Sequence, residues 1–507
     1  MSDVEELAAR RQAVDDLRAA GIEPFPARVS RTHNAKEALE AYQPDVPEEE
    51  QPTVTVAGRM LTPRHMGKAS FLHLQDGSGK IQVYAQRNTL GDAQFDLLKS
   101  LHPGDFLWVS GPVFQTRTGE ITVRAREIKL ISKALRPLPD KFHGIRDKEV
   151  RYRKRYLDLI ANRESFDRLM LRSRIVSTVR RLLESRGFIE VETPVLQSLY
   201  GGAHARPFTT HFNALGEDLY LRIALELYHK RLLIGGVDKL FEIGRVFRNE
   251  GLSRKHNPEF TMLELYWAYA DYHDIMSLVE WFVSETAGQI FGSPIIERDG
   301  QQIDLTPPWP RQTLREAILQ YSGIDFTAYP VGEGDAALLS AARERGLQIP
   351  DRTPRGKVID ELLSTFVEPH LIEPIFLYDY PLELSPLAKT KEGDPALVER
   401  FEAFAGAVEL ANAFTELNDP QDQRRRFEAQ AVDREAGDQD AHAFDEDFLE
   451  AMEHGMPPAG GLGVGIDRLT MFLTGAESIK DVILFPQMRR GSSLEDAEED
   501  AENENDL

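Results

Sequence analysis

One stretch of the sequence concentrates side chains that suit nucleotide binding. Residues 246–266, VFRNEGLSRKHNPEFTMLELY, carry Arg248, Glu250 and His256 before an apolar alternation that begins near Phe260. The rigid fork of an arginine can bind a phosphate or a carboxylate through two hydrogen bonds at once, and an aromatic face suits a nucleobase. The stretch therefore predicts a nucleotide clamp, and an exposed hairpin with salt bridges is the alternative interpretation.

The strand that begins near Phe260 is predicted to carry its functional side chains on one face. Successive strand residues point to opposite sides, so Phe260, Met262, Glu264 and Tyr266 are predicted to share a face. The residues between them are apolar or small and are predicted to face the core. A carboxylate thus points the same way as its aromatic neighbours.

A second segment, residues 400–417, reads as a hairpin that contributes to the same concavity. Asn412, Phe414 and Glu416 share one strand face by alternation. These residue types suit the recognition of a small polar substrate.

Two further carboxylates in this hairpin suit a divalent cation. Glu402 is predicted to lie near the height of Glu409 if residues 405–407 form the turn. Paired carboxylates can hold Mg²⁺ together with nucleotide phosphates, whereas the alternative is a solvated surface. Glu409 has the wrong parity for the face of Asn412, so the prediction requires a β-bulge.

The last motif is glycine-rich. Residues 460–469, GGLGVGIDRL, allow close backbone approach and then open an apolar helix with Asp467 and Arg468. The motif is neither a P-loop nor a dinucleotide fingerprint, and by itself it is a weak signal.

Composition limits the class of protein. The 507 residues are 41% hydrophobic and include no cysteine, which excludes disulfides, thiolate metal sites and a cysteine nucleophile. The sequence lacks an apolar run of about 18 residues and its start does not resemble a signal peptide, so we expect a cytoplasmic protein without a membrane partner.

Charge is distributed unevenly along the chain. The net charge is -23, but residues 51–157 hold 19 Lys and Arg against 9 Asp and Glu, while residues 158–507 carry -27. This pattern favours a polyanion-binding module joined to an acidic body, and uneven surface charge without function is the alternative.

The chain is expected to be α+β. Residues 1–52 are predicted to form a helical extension and linker, and residues 53–150 a five-stranded β-barrel of the OB type. Residues 151–490 are predicted to form a domain with a mainly antiparallel sheet flanked by helices and a helical insert near 311–370. Residues 491–507 hold eight acidic and no basic residues and are predicted to be disordered.

Two side chains of the predicted barrel suit unpaired nucleic-acid bases. Phe71 could stack on a base and Gln82 could hydrogen-bond to one. Alternatively, Phe71 belongs to the barrel core, because every second strand residue must point inward.

Three segments in order resemble the signature motifs of the class II aminoacyl-tRNA synthetases. They are RGFIEVETPVL, FRNEGLSRKHNPEF and GLGVGIDRL, which resemble motifs 1, 2 and 3. The segments MGKASFLHLQDGSGKIQVY and KALRPLPDKFHGIRDKEVRYRKRYLDLI are similar to the bacterial lysyl-tRNA synthetase family in particular. The likeness runs from about residue 5 to 490.

The resemblance implies a role for each candidate residue. ATP would be bound by Arg248, Glu250, His256, Phe260 and Arg468, of which Arg248 and Arg468 are catalytic, and up to three Mg²⁺ ions with ATP would be held by Glu402 and Glu409. L-lysine would be bound by Gly202, Glu226, Glu264, Tyr266, Asn412, Phe414 and Glu416. The anticodon of tRNA(Lys) would be read by Phe71, Gln82 and Glu120, and motif 1 would form a homodimer interface.

One residue departs from the pattern of the family. Leu225 stands where the family usually has proline, which could shift Glu226.

Three rival functions are considered. An aspartyl- or asparaginyl-tRNA synthetase shares the domain plan but needs donors for a carboxylate or amide, whereas this chain supplies Glu226, Glu264 and Glu416. A paralogue that lysylates a protein would lack the barrel. A catalytically inactive nucleic-acid-binding protein would not need the arginines of motifs 2 and 3.

The acidic tail is predicted to be dispensable, because its only apolar residues besides alanine are two leucines. Deleting residues 491–507 should leave aminoacylation within about two-fold, as expected for a solvated segment. The measurement is the charging rate of the truncated and full-length chains. A loss of about ten-fold or more would contradict this prediction.

Overall fold

The structure is a computed structural model that describes residues 3–138, 145–203, 205–298, 300–435 and 444–489. It divides into two compact units, Met1–Arg146 and Asp147–Leu507. The acidic tail, predicted to be disordered, lies outside the described residues.

The first unit is a closed barrel with helices. Its helices are α1 (Asp3–Ala19), α2 (Ala35–Glu40), α3 (Arg87–Leu90) and α4 (Asp92–Ser100). Its strands are β1 (Thr53–Met60), β2 (Arg64–Met66), β3 (Ala69–Gln75), β4 (Lys80–Gln86), β5 (Phe106–Gln115), β6 (Ile121–Ala125) and β7 (Glu127–Ser132).

Five of these strands close the barrel. The order β1-β3-β4-β6-β5 returns to β1 through the β1–β5 pair, which confirms the predicted five-stranded barrel of the OB type. The inward residues alternate along each strand and form one apolar core, in which Val56, Leu72 and Val83 are almost completely buried.

The alternation of apolar and polar residues over 120–131 predicts one strand, the last of the barrel, but the structure has two strands there. The chain leaves the ladder at Arg126, whose N–H donates to the carbonyl of Ser110 at 2.8 Å. This break lets β6 pair with β4 and β5 while β7 continues along β5. The prediction of a single strand was therefore wrong.

The second unit is an α+β domain, as predicted. Its helices are α5 (Lys148–Arg153), α6 (Arg155–Ala161), α7 (Arg163–Ser185), α8 (Glu226–Ile234), α9 (Tyr272–Phe291), α10 (Leu314–Ser322), α11 (Asp335–Glu344), α12 (Arg355–Leu362), α13 (Pro420–Glu435), α14 (Glu446–Glu453) and α15 (Ile466–Thr474).

The strands of this unit form one large sheet and two small ones. They are β8 (Ile189–Glu190), β9 (Leu196–Gln197), β10 (Thr209–Phe212), β11 (Glu217–Leu221), β12 (Lys239–Phe247), β13 (Glu259–Ala268), β14 (Ile295–Arg298), β15 (Gln301–Asp304), β16 (Arg311–Thr313), β17 (Ile375–Pro381), β18 (Thr390–Lys391), β19 (Asp394–Ala405), β20 (Val408–Thr415) and β21 (Ala459–Gly465).

The large sheet has the order β16-β17-β19-β20-β21-β13-β12-β8, with β18 paired to β19. Its pairs are antiparallel except β16–β17 and β12–β8. The sheet buries one face against α7 and α9, where Leu263, Leu265 and Phe282 are fully buried. The opposite face of the sheet carries the candidate active site.

The helical insert has its own apolar core. Helices α10, α11 and α12 surround Leu314, Ile318, Leu338 and Ile359, which are fully buried. The same cluster includes Phe404 of β19, so the insert packs on the sheet beside the hairpin that carries Glu402.

The sequence FIEVETPVL, residues 188–196, predicts a strand, but this stretch is largely irregular. Only β8 and the first residue of β9 fall within it, because Thr193 turns to donate its N–H and hydroxyl to the buried carboxylate of Glu242 at 3.1 and 2.7 Å. Pro194, which follows, cannot donate to a ladder. Across the described residues, no helix is long and apolar enough to cross a membrane.

Candidate active site

The clamp predicted from residues 246–260 lies at the end of the paired strands β12 and β13. Val246 is paired with Phe260, and the N–H of Arg248 donates to the carbonyl of Pro258 at 2.8 Å, which extends the ladder. The guanidinium of Arg248 lies 5.2 Å from the centre of the Phe260 ring. Glu250 is exposed two residues beyond Arg248. A cation and a half-buried aromatic ring therefore stand side by side, as predicted.

The loop between the strands positions His256 beside the glycine-rich motif. The hydroxyl of Ser253 lies 2.9 Å from Nδ1 of His256, and Nη2 of Arg468 lies 3.2 Å from its Nε2. Arg468 also donates to Oε2 of Glu409 at 2.6 Å. Partial burial and the positive charge of Arg468 lower the pKa of His256, so the imidazole is neutral near pH 7.

Asp467 fixes the start of α15 against the clamp strand. Its Oδ2 accepts the backbone N–H of Thr261 at 2.7 Å, and its Oδ1 accepts Nη2 of Arg172 at 2.6 Å. The carboxylate is almost completely buried, so both hydrogen bonds are shielded from water. This contact holds Arg468 in a fixed place relative to Phe260.

The strand β21 uses its glycines to line the floor of the site. Gly463 is paired with Glu264 on one side and Asn412 on the other, while Leu462 and Val464 belong to the core. A Cβ atom on Gly461 would lie 1.8 Å from Oε1 of Glu416, so no other residue fits there without moving that carboxylate.

The hairpin β19–β20 contains the bulge that the sequence required. The register shifts between Ala403, which pairs with Ala411, and Phe404, which pairs with Glu409. Leu410 is the extra residue, so Glu409 is returned to the face of Asn412 and Glu402. Gly406 and Ala407 form the turn with φ of 60° and 58°.

The predicted heights of the two carboxylates were wrong. Glu402 lies opposite Asn412, and Glu409 lies further toward the turn, opposite Phe404. The reason is the turn, which consists of Gly406 and Ala407 and not of residues 405–407: Ala405 pairs with Val408, which places Glu409 opposite Phe404, while the bulge brings Asn412 opposite Glu402. Burial raises the pKa of Glu402 to about 7, against the effect of Arg400, and the nearby Glu409 adds to the rise.

A pocket of buried carboxylates lies next to the clamp. Glu226 at the start of α8, Glu264 of β13 and Glu416 after β20 are all nearly inaccessible to water. The hydroxyl of Tyr266 donates to Oε2 of Glu264 at 3.2 Å. Burial, together with the charge of Glu226, raises the pKa of Glu264 to about 8.

Gly202 and Phe414 complete the walls of this pocket. A Cβ atom on Gly202, whose φ is +85°, would lie 3.1 Å from Cβ of Glu226. Phe414 is half-buried on the strand that leads to Glu416. The pocket thus brings together the predicted residues Gly202, Glu226, Glu264, Tyr266, Asn412, Phe414 and Glu416.

In the first unit, the three predicted barrel residues share one outer face. Phe71 is half-buried, lies outside the barrel core and packs against Tyr84 with a distance of 4.7 Å between ring centroids and an angle of 39° between ring planes. Gln82 donates to Oε2 of Glu120 at 2.6 Å, and Oε1 of Glu120 lies 2.8 Å from Nε2 of His73. The alternative that Phe71 is barrel core is therefore wrong.

Comparison with known proteins assigns the chain to a family. Residues 147–489 match the family described as tRNA synthetases class II (D, K and N), and residues 54–131 match an OB-fold nucleic acid binding domain. The chain is 52% identical to a lysine–tRNA ligase of Enterococcus faecalis and to one of Bacillus subtilis, each over 96% of this chain and 97% of the relative. It is 53% identical to a lysine–tRNA ligase of Moorella thermoacetica over 95% of this chain and 97% of the relative.

The chain belongs to the class II tRNA synthetases.

Sequence reasoning missed two charged residues in this class II synthetase site. Arg400 donates to Oδ1 of Asn412 at 3.0 Å and to Oε1 of Glu402 at 2.6 Å, so one guanidinium holds residues from both sides of the site. Lys230 of α8 pairs with Glu226 and Glu416 at 2.6 and 2.5 Å. The spacing of Glu226 and Lys230 was the available signal, but i and i+4 pairs of opposite charge are common on exposed helices.

Leu225 makes a contact that proline could not make. Its backbone N–H donates to Oε1 of Glu264 at 3.0 Å inside the pocket. The hydrogen bond favours the ionised form and so opposes the rise in the pKa of Glu264 that burial causes. In this synthetase, the departure from the usual proline therefore acts on Glu264, whereas the sequence suggested an effect on Glu226.

Replacing Leu225 by proline should shift the pH dependence of amino-acid activation. Loss of the N–H raises the pKa of Glu264 further, so the carboxylate ionises at higher pH. In the unmodified chain the amino-acid KM should fall as the pH rises and Glu264 ionises. In the proline variant the midpoint of this fall should lie about one pH unit higher, because a hydrogen bond to a charged group contributes roughly 1.5 kcal/mol. The measurement is pyrophosphate exchange at several pH values.

Leu225→Ala is the matched control, because it removes the side chain and keeps the N–H. Its pH midpoint should equal that of the unmodified chain. Equal shifts in both variants would show that packing of the side chain, and not the N–H, controls Glu264.

Proposed function

We propose that this chain is a lysine–tRNA ligase. It activates L-lysine with ATP to form lysyl-adenylate and pyrophosphate, and it then transfers lysine to the 3′ end of tRNA(Lys). The observation that carries the proposal is the pocket of three buried carboxylates, Glu226, Glu264 and Glu416, beside the clamp of Arg248 and Phe260. The names of the relatives support the same substrate.

The charge of the pocket favours a substrate with two ammonium groups. Three carboxylates face one resident ammonium, that of Lys230, which is already paired twice. An aspartate side chain would add a fourth buried carboxylate, and asparagine would leave the anions without a cation, so both are disfavoured. Lysine supplies cations at both of its ends.

The parts of the pocket suggest one orientation of lysine. The α-ammonium binds Glu226 beside Gly202, and the carboxylate binds Arg248 and Asn412. The ε-ammonium binds Glu416 and the hydroxyl of Tyr266. Glu264 and Phe414 close the pocket around the side chain.

ATP is proposed to bind along the clamp. The adenine ring stacks on Phe260, and its amino group contacts Glu250. Arg248 binds the α-phosphate, and His256 and Arg468 bind the distal phosphates. Nε2 of the neutral His256 faces Nη2 of Arg468, which can only donate, so Nε2 donates to a phosphate once Arg468 turns its own donor to that phosphate.

Glu402 and Glu409 fit Mg²⁺ ions bound together with ATP. They share a face, and the raised pKa of Glu402 reflects a buried carboxylate that a cation would stabilise. In the described parts of the chain, no three His, Asp or Glu side chains cluster closely enough to hold an ion alone. Phosphate oxygens would complete the coordination, and the metal would neutralise charge on the phosphates.

The chemistry requires positioning and no protein nucleophile. An oxygen of the lysine carboxylate attacks the α-phosphorus, and the bond to pyrophosphate breaks. A ribose hydroxyl of the terminal tRNA nucleotide then attacks the carbonyl carbon of lysyl-adenylate, and AMP leaves. Arg248 stabilises the charge that develops on the α-phosphate and holds the two reactants in contact.

Two macromolecular contacts complete the proposal. The barrel face with Phe71, Gln82 and Glu120 binds the anticodon of tRNA(Lys). Ile189 and Leu196, in and next to motif 1, are exposed apolar side chains, and we propose that they belong to a homodimer interface.

Pyrophosphate exchange with each of the twenty amino acids tests the function. We expect lysine alone to support exchange, and tRNA(Lys) to accept it. Exchange with aspartate or asparagine would indicate the rival synthetases, and transfer to a protein in place of tRNA would indicate a modifying enzyme. Absence of any exchange would favour a binding protein.

Phe71→Ala should impair tRNA charging without affecting adenylate formation. Stacking of one base is worth roughly 1–3 kcal/mol, so the tRNA KM should rise by about five- to one-hundred-fold. Pyrophosphate exchange should be unchanged. Phe25→Ala, which removes an exposed ring elsewhere in the first unit, is the control and should leave both activities intact. Parallel loss of both activities in Phe71→Ala would mean that the ring stabilises the fold.

A further inference from the structure

A lysine of the chain itself is buried in the proposed lysine pocket. Lys230 lies on the second turn of α8, and its side chain has no exposed surface. Its Nζ lies 2.6 Å from Oε1 of Glu226 and 2.5 Å from Oε2 of Glu416. The ring of Phe414 lies 5.6 Å from the same nitrogen. The ammonium therefore joins the two carboxylates proposed to bind the two ends of the substrate.

Lys230 occupies only one oxygen of each carboxylate. Both oxygens of Glu416 are buried and accept no hydrogen bond from any described residue; Oε2 has the ion pair with Lys230, and Oε1 has neither kind of partner. It lies over Gly461, where a Cβ atom would be 1.8 Å away, so space for this oxygen depends on the absence of a side chain. A buried anion without a donor is costly, which indicates that a ligand with a donor completes it. On the other side, Oε2 of Glu226 faces Gly202.

The charges of the pocket balance only if Lys230 is counted. Once the ammonium groups of bound lysine ionise Glu264, whose pKa burial raises to about 8, Glu226, Glu264 and Glu416 carry three negative charges, and Arg248 and Lys230 supply two positive charges. Bound lysine adds two ammonium groups and one carboxylate, which brings the total to zero. Without Lys230 the filled pocket would retain one uncompensated buried charge, which proteins avoid by taking up a proton.

Other groups near Lys230 do not replace it as a cation. His229, the preceding residue, pairs with Glu242 at 3.1 Å, and burial lowers its pKa, so it is neutral. Tyr266 donates to Glu264. Arg222 is paired with Glu242 at 2.6 Å. For Lys230 itself, burial would lower the pKa, but the two carboxylates outweigh this effect and raise it.

We propose that Lys230 is a positioning and specificity-determining residue, which opposes the protonation that burial favours at Glu226 and Glu416 and directs their free oxygens to the two ammonium groups of the substrate. This inference rests on the proposed function. The selection of lysine then depends on the fixed positive charge of Lys230. The pocket accepts one further cation, at Glu416, and excludes neutral side chains.

The test replaces Lys230 by methionine, which is unbranched, of similar length and uncharged. Pyrophosphate exchange with lysine is measured for the Lys230→Met variant from pH 6.5 to 9. At pH 7 the lysine KM should rise at least about 30-fold, because Glu226 and Glu416 then bind protons that lysine must displace. The ATP KM should stay within about two-fold, since the clamp lies on other residues.

Two readouts separate this role from a structural one. The lysine KM of the variant should fall at least about ten-fold as pH rises from 7 to 9, a steeper fall than in the unmodified chain, as the carboxylates ionise. Discrimination between lysine and norleucine, which has the carbon chain of lysine without the terminal ammonium, should weaken by about ten-fold or more, because a protonated Glu416 tolerates an apolar group.

Lys239→Met is the matched control, because Lys239 contacts Trp267 on the opposite face of β12 and β13. It should behave like the unmodified chain. Three outcomes would overturn the inference: a lower lysine KM in Lys230→Met, which would mean that Lys230 competes with the substrate; equal loss of lysine and ATP binding; or an unchanged pH profile and norleucine ratio. Failure of the proposed function is distinct, since the unmodified chain would then show no lysine-dependent exchange.

Discussion

The architecture of the site depends on the pairing of buried charge. Glu226, Glu264 and Glu416 are removed from water within one pocket, and each would be unstable as an isolated anion. Three kinds of partner stabilise them: the ammonium of Lys230, the N–H of Leu225 and the hydroxyl of Tyr266. Lys230 and Leu225 lie on α8 and at its N-cap, and Tyr266 lies on β13, so the pocket forms only when helix α8 is seated on the sheet.

The sheet supplies the fixed frame for this pairing. Strands β13, β21 and β20 lie side by side, and their register places Glu264, Gly463 and Asn412 in one row across the sheet. The neighbouring strand β19 adds Glu402 to the row. The opposite face is filled with apolar side chains against α9, which prevents a slip of register, because a slip by one residue would exchange the buried and functional faces.

Local sequence patterns predicted much of this frame. Alternation along residues 260–266 was sufficient to separate the core face from the site face, and the parity of Glu409 required a bulge that the structure contains. The pattern did not give the length of the turn, which is Gly406 and Ala407 and not residues 405–407, so the relative heights of Glu402 and Glu409 were wrong. Register depends on which pairs form across the hairpin, and residue types alone do not specify those pairs.

The residues that sequence reasoning missed are those whose role depends on distant partners. Arg400 and Lys230 carry charges that a single sequence assigns to the surface, and only the fold brings Glu416 to Lys230 across 186 positions of the chain. The five-stranded barrel was predicted because its strands are short and alternating, but the break at Arg126 has no local signal beyond the residues that flank it.

Arg400 connects the two halves of the proposed reaction. Its guanidinium binds both Glu402, on the side proposed for the metal and ATP, and Asn412, on the side proposed for the amino-acid carboxylate. It also donates to the carbonyl of Leu384 at 2.9 Å, which anchors it to the segment after β17. Because Arg400 has fixed donors in a planar fork, movement of one partner strains its contact with the other. One rigid guanidinium thus fixes the position of the attacking carboxylate relative to the phosphate that it attacks. Such a contact suits a reaction whose barrier is lowered mainly by alignment of the reactants.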